Sequence, residues 1–420
     1  VGFGDFVIPS GFGRIGNEVF TRLQQRGYQV MAASIQYTGG PHPYPFWVWP
    51  LAGHMDIWSD ITSIINTSQP DVVIGIQDFP YHVSLFRDCK IDWSRTKFIF
   101  ITPIDGEPVD EEWIQLSKVA DGGMVISHFG QEVLRRNGVK VDLCPPGINY
   151  REFFPAKPDE KRELRRKVSI PEDAYIVGMF AMNQGRKNIP ATVEAFREFS
   201  RDKPNTYLYL DMDDVSPAGW NIERQLLKPM GVDPSRVKYR KDVVGTLPNL
   251  RDRYCLLDVH SLISFREGFG LPTIEAMACG IPCYNLDWCS GPELMEHGRG
   301  VLIQRQEMMT FGTWGGAKDA YPVMSDFIEK LNWLYYNREA ANNIARTAYE
   351  WVRERTWDRT ADAVENKIME VLGVSFDSSA GLWQPSRPTQ VDGGTQGVVG
   401  GASTDVSSGP SDGGGDPSRR

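Results

Sequence analysis

The chain has 420 residues, which at roughly 150 residues per domain suggests two or three domains. It is 41% hydrophobic and 24% charged, which excludes disorder of the whole chain, and no run reaches the ~18 apolar residues of a membrane-spanning helix. A net charge of −9, with 11 Lys and Arg against 16 Asp and Glu in the first 150 residues, excludes a general nucleic-acid binder and gives no bulk charge for anionic lipid.

Six cysteines, at 89, 144, 255, 279, 283 and 289, are too sparse for a disulfide scaffold. Cys279 and Cys283 are four apart, but Gly280 and Pro282 break helix geometry between them, so buried free thiols and a cytoplasmic setting are expected. Val1–Pro9 lacks the basic and long apolar regions of a signal peptide. Without an initiating Met, the chain reads as a fragment or a processed form.

In chain order, Asp5–Ile8 reads as a strand and Pro9–Gly13 as a glycine turn. Ile15, Val19 and Leu23 then mark a helix closed by Gly27. Further strands are expected at Tyr28–Ser34, Val72–Ile76, Phe98–Ile101 and Met124–Ile126, with helices at Trp58–Asn66 and Gln131–Arg136. Trp47 and Trp49, among several prolines, suit a packed loop better than an acceptor loop, although rings also stack on sugar faces. The polar stretch Tyr150–Ser169 reads as a linker with an exposed helix. A second series follows, with strands at Tyr175–Ala181, Thr206–Leu210, Val237–Tyr239, Val259–Ser264 and Ile281–Leu286. Its helices are Pro190–Ser200 and Pro272–Ala278. Met324–Leu372 is helical. From Gly393 nine glycines and no aromatic residue predict disorder.

Strands alternating with helices imply parallel, doubly wound sheets. The expected layout is a Rossmann-like first domain over 1–155, a linker over 156–172 and a second Rossmann-like domain over 173–340. Helices over 341–374 and a disordered tail over 375–420 complete it.

The segment Ser264-Phe265-Arg266-Glu267-Gly268-Phe269-Gly270-Leu271-Pro272-Thr273-Ile274-Glu275 carries the strongest chemical signal. A strand ends, two glycines allow close approach of the backbone, and Pro272 suits a first helical turn. Free N–H groups around Phe269–Thr273 at a positive helix end make an anion site. Carboxylates flanking such a site repel phosphate and suit hydroxyls. The ligand expected is therefore a phosphate centre with hydroxyl-bearing ends, as in a nucleotide-sugar.

This segment resembles the E-x7-E signature of retaining glycosyltransferases of family 4, which have the GT-B fold. Gly11-Phe12-Gly13 resembles that family's N-terminal glycine loop, and Gly185-Arg186-Lys187-Asn188 its basic diphosphate loop. Val125–Gly130, Pro145–Asn149, Phe153–Pro155 and Gly291-Pro292-Glu293-Leu294 match in order as well. The match covers residues 5–372. It implies two Rossmann-like domains facing across a cleft, with a C-terminal helix crossing back to the first.

The resemblance also implies roles. Glu275 would accept from the ribose hydroxyls and Glu267 would hold the donor sugar. Gly13, Gly268, Phe269, Gly270, Leu271, Pro272 and Thr273 would line the donor site, and Arg186 and Lys187 would neutralise the diphosphate. Which of those two cations touches phosphate stays open, because the family usually has Arg at the end of the preceding strand, where Ala181-Met182-Asn183 stands here. The family's histidine near the donor sugar is missing as well. Asp105 stands in its region, either as a polar substitute or as a turn cap beside Gly106. His128, the nearest histidine, reads as a partly buried structural residue.

No metal or other cofactor is expected. Asp211-Met212-Asp213-Asp214 follows a strand, as a metal–diphosphate D-x-D would, but solvated turn acids account for it as well. The partners expected are a nucleotide-sugar donor and a glycan, lipid-linked or small-molecule acceptor. A glycoside phosphorylase, a sugar-nucleotide epimerase or a catalytically silent nucleotide-sugar binder remain the rivals.

Overall fold

The computed structural model describes residues 1–306, 309–310, 317–377 and 382–385. Two parallel sheets organise residues 1–374. The first has seven strands in the order β3-β2-β1-β4-β5-β6-β7. These are β1 (Gly2–Gly4), β2 (Met31–Ser34), β3 (Trp47–Pro50), β4 (Val72–Ile76), β5 (Lys97–Thr102), β6 (Gly122–Val125) and β7 (Asp142–Leu143). Its helices are α1 (Gly11–Gln25), α2 (Ile57–Ser68), α3 (Phe79–Asp88), α4 (Glu111–Val119) and α5 (His128–Arg136). Helix starts follow the side chains that can cap them. The Ser10 hydroxyl accepts from Gly13 N at 3.1 Å, and the Ser127 hydroxyl from Gly130 N at 3.2 Å.

After α6 (Pro158–Lys167) the second sheet runs β10-β9-β8-β11-β12-β13. Its strands are β8 (Tyr175–Phe180), β9 (Thr206–Asp211), β10 (Val237–Tyr239), β11 (Val259–Leu262), β12 (Cys283–Leu286) and β13 (Val301–Ile303). The helices here are α7 (Ile189–Ser200), the short α8 (Lys228–Met230), α9 (Arg240–Val243) and α10 (Leu250–Tyr254), then α11 (Leu271–Ala278) and α12 (Gly291–Met295). In both sheets the strand order reverses once, between β1 and β4 and between β8 and β11. A parallel sheet opens a crevice at the carboxyl ends of its strands at such a point.

Three helices cover the stretch 324–372 that was expected to be helical: α13 (Met324–Tyr336), α14 (Arg338–Val352) and α15 (Trp357–Leu372). α14 packs on α11 and α15 packs on α1, so the chain crosses back to the first sheet. Arg22 Nε meets Asp358 Oδ1 at 2.9 Å, Arg26 Nη2 meets Asp362 Oδ1 at 2.7 Å, and the Tyr28 hydroxyl donates to Glu365 at 3.0 Å. Buried Trp357, Val364 and Ile368 supply the apolar side of this contact.

Several expectations need correction. The first strand is Gly2–Gly4, not Asp5–Ile8. Phe6 leaves the sheet to pack edge-on against Phe20, with ring centroids 4.9 Å apart, and its N–H goes to the Ser34 hydroxyl instead of a strand partner. Trp47 and Trp49 form no packed loop. They lie on edge strand β3, 62% and 40% exposed, with rings 5.8 Å apart. His128 is exposed rather than partly buried. All six cysteines are buried and free, as expected. No helix among the described residues is long and apolar enough to cross a membrane. Of the tail expected to be disordered over 375–420, residues 375–377 and 382–385 lie in two short paired strands, Val374–Asp377 and Leu382–Pro385, and the rest lies outside the described residues.

Candidate active site

The loop between β11 and α11 projects from the switch point of the second sheet. Gly270 has φ +100°, a left-handed conformation that a side chain disfavours, and no side chain caps the helix it starts. Its carbonyl accepts from Thr273 N at 2.9 Å, and Pro272 has no N–H. The free N–H groups expected over Phe269–Thr273 therefore reduce to Phe269, Gly270 and Leu271, which have no acceptor among the described residues. The Ser290 hydroxyl pins the loop, its one proton shared between Glu267 O at 2.9 Å and Phe269 O at 2.8 Å. Thr273 is fully buried and donates to Asn285 Oδ1 at 3.2 Å, so its side chain holds α11 against β12.

The two glutamates flank this helix start with different partners. Glu267 accepts from Lys187 Nζ at 2.6 Å and from the Ser264 hydroxyl at 3.0 Å, with Arg186 Nη1 at 3.6 Å. Burial pushes the Glu267 carboxyl up, but Lys187 and Arg186 together hold it below its ordinary value. Burial, with Arg186 adding to it, keeps the Lys187 ammonium below its own. Lys187 is nearly buried, whereas the Arg186 side chain is 37% exposed and donates to Arg266 O at 3.0 Å. Lys187 thus positions Glu267, and Arg186 is the more exposed of the two cations.

Glu275 lies one helical turn beyond the free N–H groups. Its Oε2 accepts from the Tyr254 hydroxyl at 2.7 Å, and its Oε1 pairs with Arg14 from α1 of the first sheet. Burial pushes this carboxyl up, against the pull of Arg14. Gly13 sits beside Arg14. A Cβ there would lie 2.1 Å from Ile8 O, so only glycine lets α1 start so close to the preceding loop. A Cβ on Gly268 would lie 2.5 Å from Pro103 Cβ, which marks a second place where the loops of the two sheets touch.

Asp105 stands across from Arg266, with 3.8 Å between Oδ1 and Nη1, and its carbonyl accepts from the Cys289 thiol at 3.1 Å. The structure therefore gathers Glu267, Arg186, Lys187 and Asp105 beside the Gly268–Thr273 turn, with Glu275 one helical turn further along α11. Sequence reasoning missed Arg14, Tyr254 and Asp78. Arg14 directly follows the glycine turn and Asp78 follows the end of β4, but position alone does not single either out.

The D-x-D acids are held by cations. Arg253 Nε and the Tyr209 hydroxyl both donate to Asp211 Oδ2 at 2.6 Å, Arg240 pairs with Asp213, and Lys241 meets Asp214 at 2.6 Å. Among the described residues no group of three or more His, Cys, Asp or Glu is arranged to hold a metal.

Known proteins match the chain in two ways. Residues 174–311 match the family described as glycosyl transferases group 1. A D-inositol 3-phosphate glycosyltransferase of Paenarthrobacter aurescens is 25% identical over 58% of this chain and 53% of its own. A probable sucrose-phosphate synthase of Thermosipho melanesiensis is 25% identical over 54% of this chain and 47% of its own. The chain thus spans about half the length of these curated relatives. Among solved structures, Anabaena Alr3699/HepE in complex with UDP and glucose superposes with a TM-score of 0.67 at 15% identity, covering 88% of this chain and 99% of that one. The fold is GT-B. WaaG, a glycosyltransferase involved in lipopolysaccharide biosynthesis, shares it at a TM-score of 0.59 and 15% identity, over 89% of this chain and 99% of its own.

Proposed function

We propose that the chain is a retaining hexosyltransferase of family 4, moving a sugar from a nucleoside-diphosphate sugar to an acceptor hydroxyl in glycan or glycoconjugate synthesis. One observation carries this reading. The uncapped start of α11 lies between the buried carboxylate of Glu275 and the part-buried one of Glu267, with Arg186 and Lys187 beside it.

On this reading the diphosphate sits on the N–H groups of Phe269, Gly270 and Leu271, facing Arg186. Glu275, already tuned to accept from hydroxyls by Tyr254, takes the ribose. Glu267, oriented by Lys187 and Ser264, takes the hydroxyls of the donor sugar, and Asp105 faces it from the other wall. As the glycosidic bond breaks, negative charge grows on the leaving phosphate. N–H dipoles and Arg186 aimed at that phosphate stabilise the transition state more than the ground state. The same groups balance the diphosphate charge, so the reading calls for no metal. Six buried, free thiols favour a reducing, cytoplasmic setting.

The test is thermal melting against UDP, GDP, ADP, CMP and inorganic phosphate, with and without EDTA. A ligand at 100 times its Kd adds ~2.7 kcal/mol. A rise with one nucleoside diphosphate, unchanged by EDTA, is the expected result. A rise abolished by EDTA contradicts the metal-free site, and a rise with phosphate alone points to a phosphorylase.

A further inference from the structure

The two crossings of the chain between its sheets lie side by side. The chain leaves the first sheet after β7 through Pro145-Pro146-Gly147, and it returns where α14 gives way to α15. Ile148 N donates to Arg355 O at 2.8 Å, and the Thr360 hydroxyl donates to Pro145 O at 2.8 Å. A Cβ on Gly147 would lie 2.3 Å from Trp357 N, so a side chain there would push the crossings apart. A cavity of about 210 Å³ opens beside this contact, with Pro145, Pro146, Trp351, Glu354, Arg355 and Arg359 in its walls. None of its lining residues belongs to the turn that starts α11.

The cations of this cavity lack acceptors. Two guanidinium groups, those of Arg355 and Arg359, line it against one carboxylate, that of the exposed Glu354. Arg355 stacks on Trp351, with its Cζ 3.9 Å from the ring centroid, and Arg299 lies over the same residue at 4.4 Å. Arg299 places its donors on Glu293 O at 2.7 Å and Leu294 O at 3.2 Å. The Arg355 side chain, half-buried, makes no hydrogen bond and no ion pair among the described residues. Burial holds its guanidinium below the ordinary value; Glu293 opposes this, and Arg299 and Arg359 add to it. A guanidinium held by an aromatic face, with every N–H lacking an acceptor on the protein and like charges beside it, is set for an external anion.

We propose that this cavity binds a soluble phosphate monoester, held by the Arg355 fork and by Arg359. Phosphate oxygens match the spacing of a guanidinium fork, and the dianion brings the negative charge that Arg299, Arg355 and Arg359 lack. Pro145, Pro146 and Trp351 give the remainder of the ligand an apolar wall. Because both crossings wall the cavity, the bound anion ties one to the other. The inference does not depend on the donor reading above.

The test is thermal melting of the full chain with inorganic phosphate and with glycerol 3-phosphate, against sodium chloride at matched ionic strength. A saturable rise with glycerol 3-phosphate, absent with chloride, is expected. Arg355→Gln is expected to weaken that response at least tenfold, and Arg359→Gln to weaken it in the same direction. Arg359 is exposed, so its variant carries the test if Arg355→Gln does not melt cooperatively. Arg186→Ala is expected to leave the response intact, which separates it from phosphate held at the start of α11. No saturable rise, a rise matched by chloride, or a rise unchanged in both cavity variants overturns the proposal. A rise lost in Arg186→Ala and kept in Arg355→Gln overturns it as well. Sedimentation with vesicles containing phosphatidic acid is the second arm. Binding there that Arg355→Gln abolishes, with no response to glycerol 3-phosphate, assigns the cavity to a lipid headgroup and overturns the soluble ligand.

Discussion

Arg14 on α1 and Glu275 on α11 form an ion pair that ties the layer over the first sheet to the helix that starts the proposed donor site. The Arg14 side chain is 29% exposed and that of Glu275 7%, so solvent screens the arginine while the carboxylate depends on its partners. Tyr254 supplies the other one. One carboxylate thus serves both the contact between the two sheets' layers and the proposed ribose site.

Arg14→Ala leaves Glu275 buried with only a phenol to accept from. Removing one partner of a buried pair costs 3–5 kcal/mol, and the exposure of Arg14 reduces this to about 1–3 kcal/mol. Urea denaturation of the variant checks it. Arg14→Ala combined with Glu275→Ala should recover part of the loss, because the stranded charge is then gone. Additive losses contradict the pairing.

Arg186 and Lys187, adjacent in sequence, are expected to fail differently. Lys187→Met leaves the part-buried Glu267 without its closest cation and should lower stability by about 1–3 kcal/mol. Arg186→Ala removes a half-exposed cation, should change stability by less than about 1 kcal/mol, and should weaken nucleoside-diphosphate binding at least tenfold. Melting and calorimetric titration of both variants measure the contrast.

Glu293, on α12, accepts from His128 N at 2.7 Å and Phe129 N at 3.3 Å, so a carboxylate attached to the second sheet caps α5 of the first. Burial pushes its carboxyl up to about 7, against the pull of those two N–H groups and of Arg355. A carboxyl whose folded pKa exceeds its unfolded value binds its proton more tightly when folded. Its contribution therefore falls as pH rises from about 4.5 to about 7 and is level above that. Glu293→Gln keeps an oxygen acceptor without the charge. Its stability relative to wild type should rise across that window, as followed by urea denaturation at several pH values. A difference independent of pH contradicts the assignment.

Both sheets and five of their eleven described helices (α1, α2, α5, α7 and α11) were legible in the sequence, because short β-branched runs such as Val72–Ile76 alternate with helical periodicity. Val237–Tyr239 and Val72–Ile76 match to the residue. The exception at Asp5–Ile8 is a competition. The apolar run suits a strand, but Phe6 gains an aromatic cluster by leaving the sheet and Ser34 replaces its ladder partner. β3 was hidden because Trp47–Pro50 is a short edge strand set among prolines. The residues around the E-x7-E helix were legible from glycine, proline and carboxylate spacing. Arg14, Tyr254 and Asp78 were not, because what makes them notable is a contact across 261 residues, a buried phenol and a missing cap.

Gly268→Ala tests the close approach of the two sheets' loops. The added methyl meets Pro103 Cβ at 2.5 Å, and relief requires the loops to separate. Overpacking of this kind costs about 1–3 kcal/mol. Melting reads that loss. Any transfer activity should fall further than stability does, since Pro103 leads into Asp105.

Calorimetric titration of the wild type, Glu275→Ala and Glu267→Ala with the nucleoside diphosphate found by melting tests the central claim most directly. The account predicts a single site in the wild type, at least tenfold weaker in Glu275→Ala and within about threefold of wild type in Glu267→Ala. The corresponding nucleotide-sugar should lose affinity in both variants. Equal affinities in all three proteins, or no site at all, contradict the placement of a nucleoside diphosphate at the start of α11.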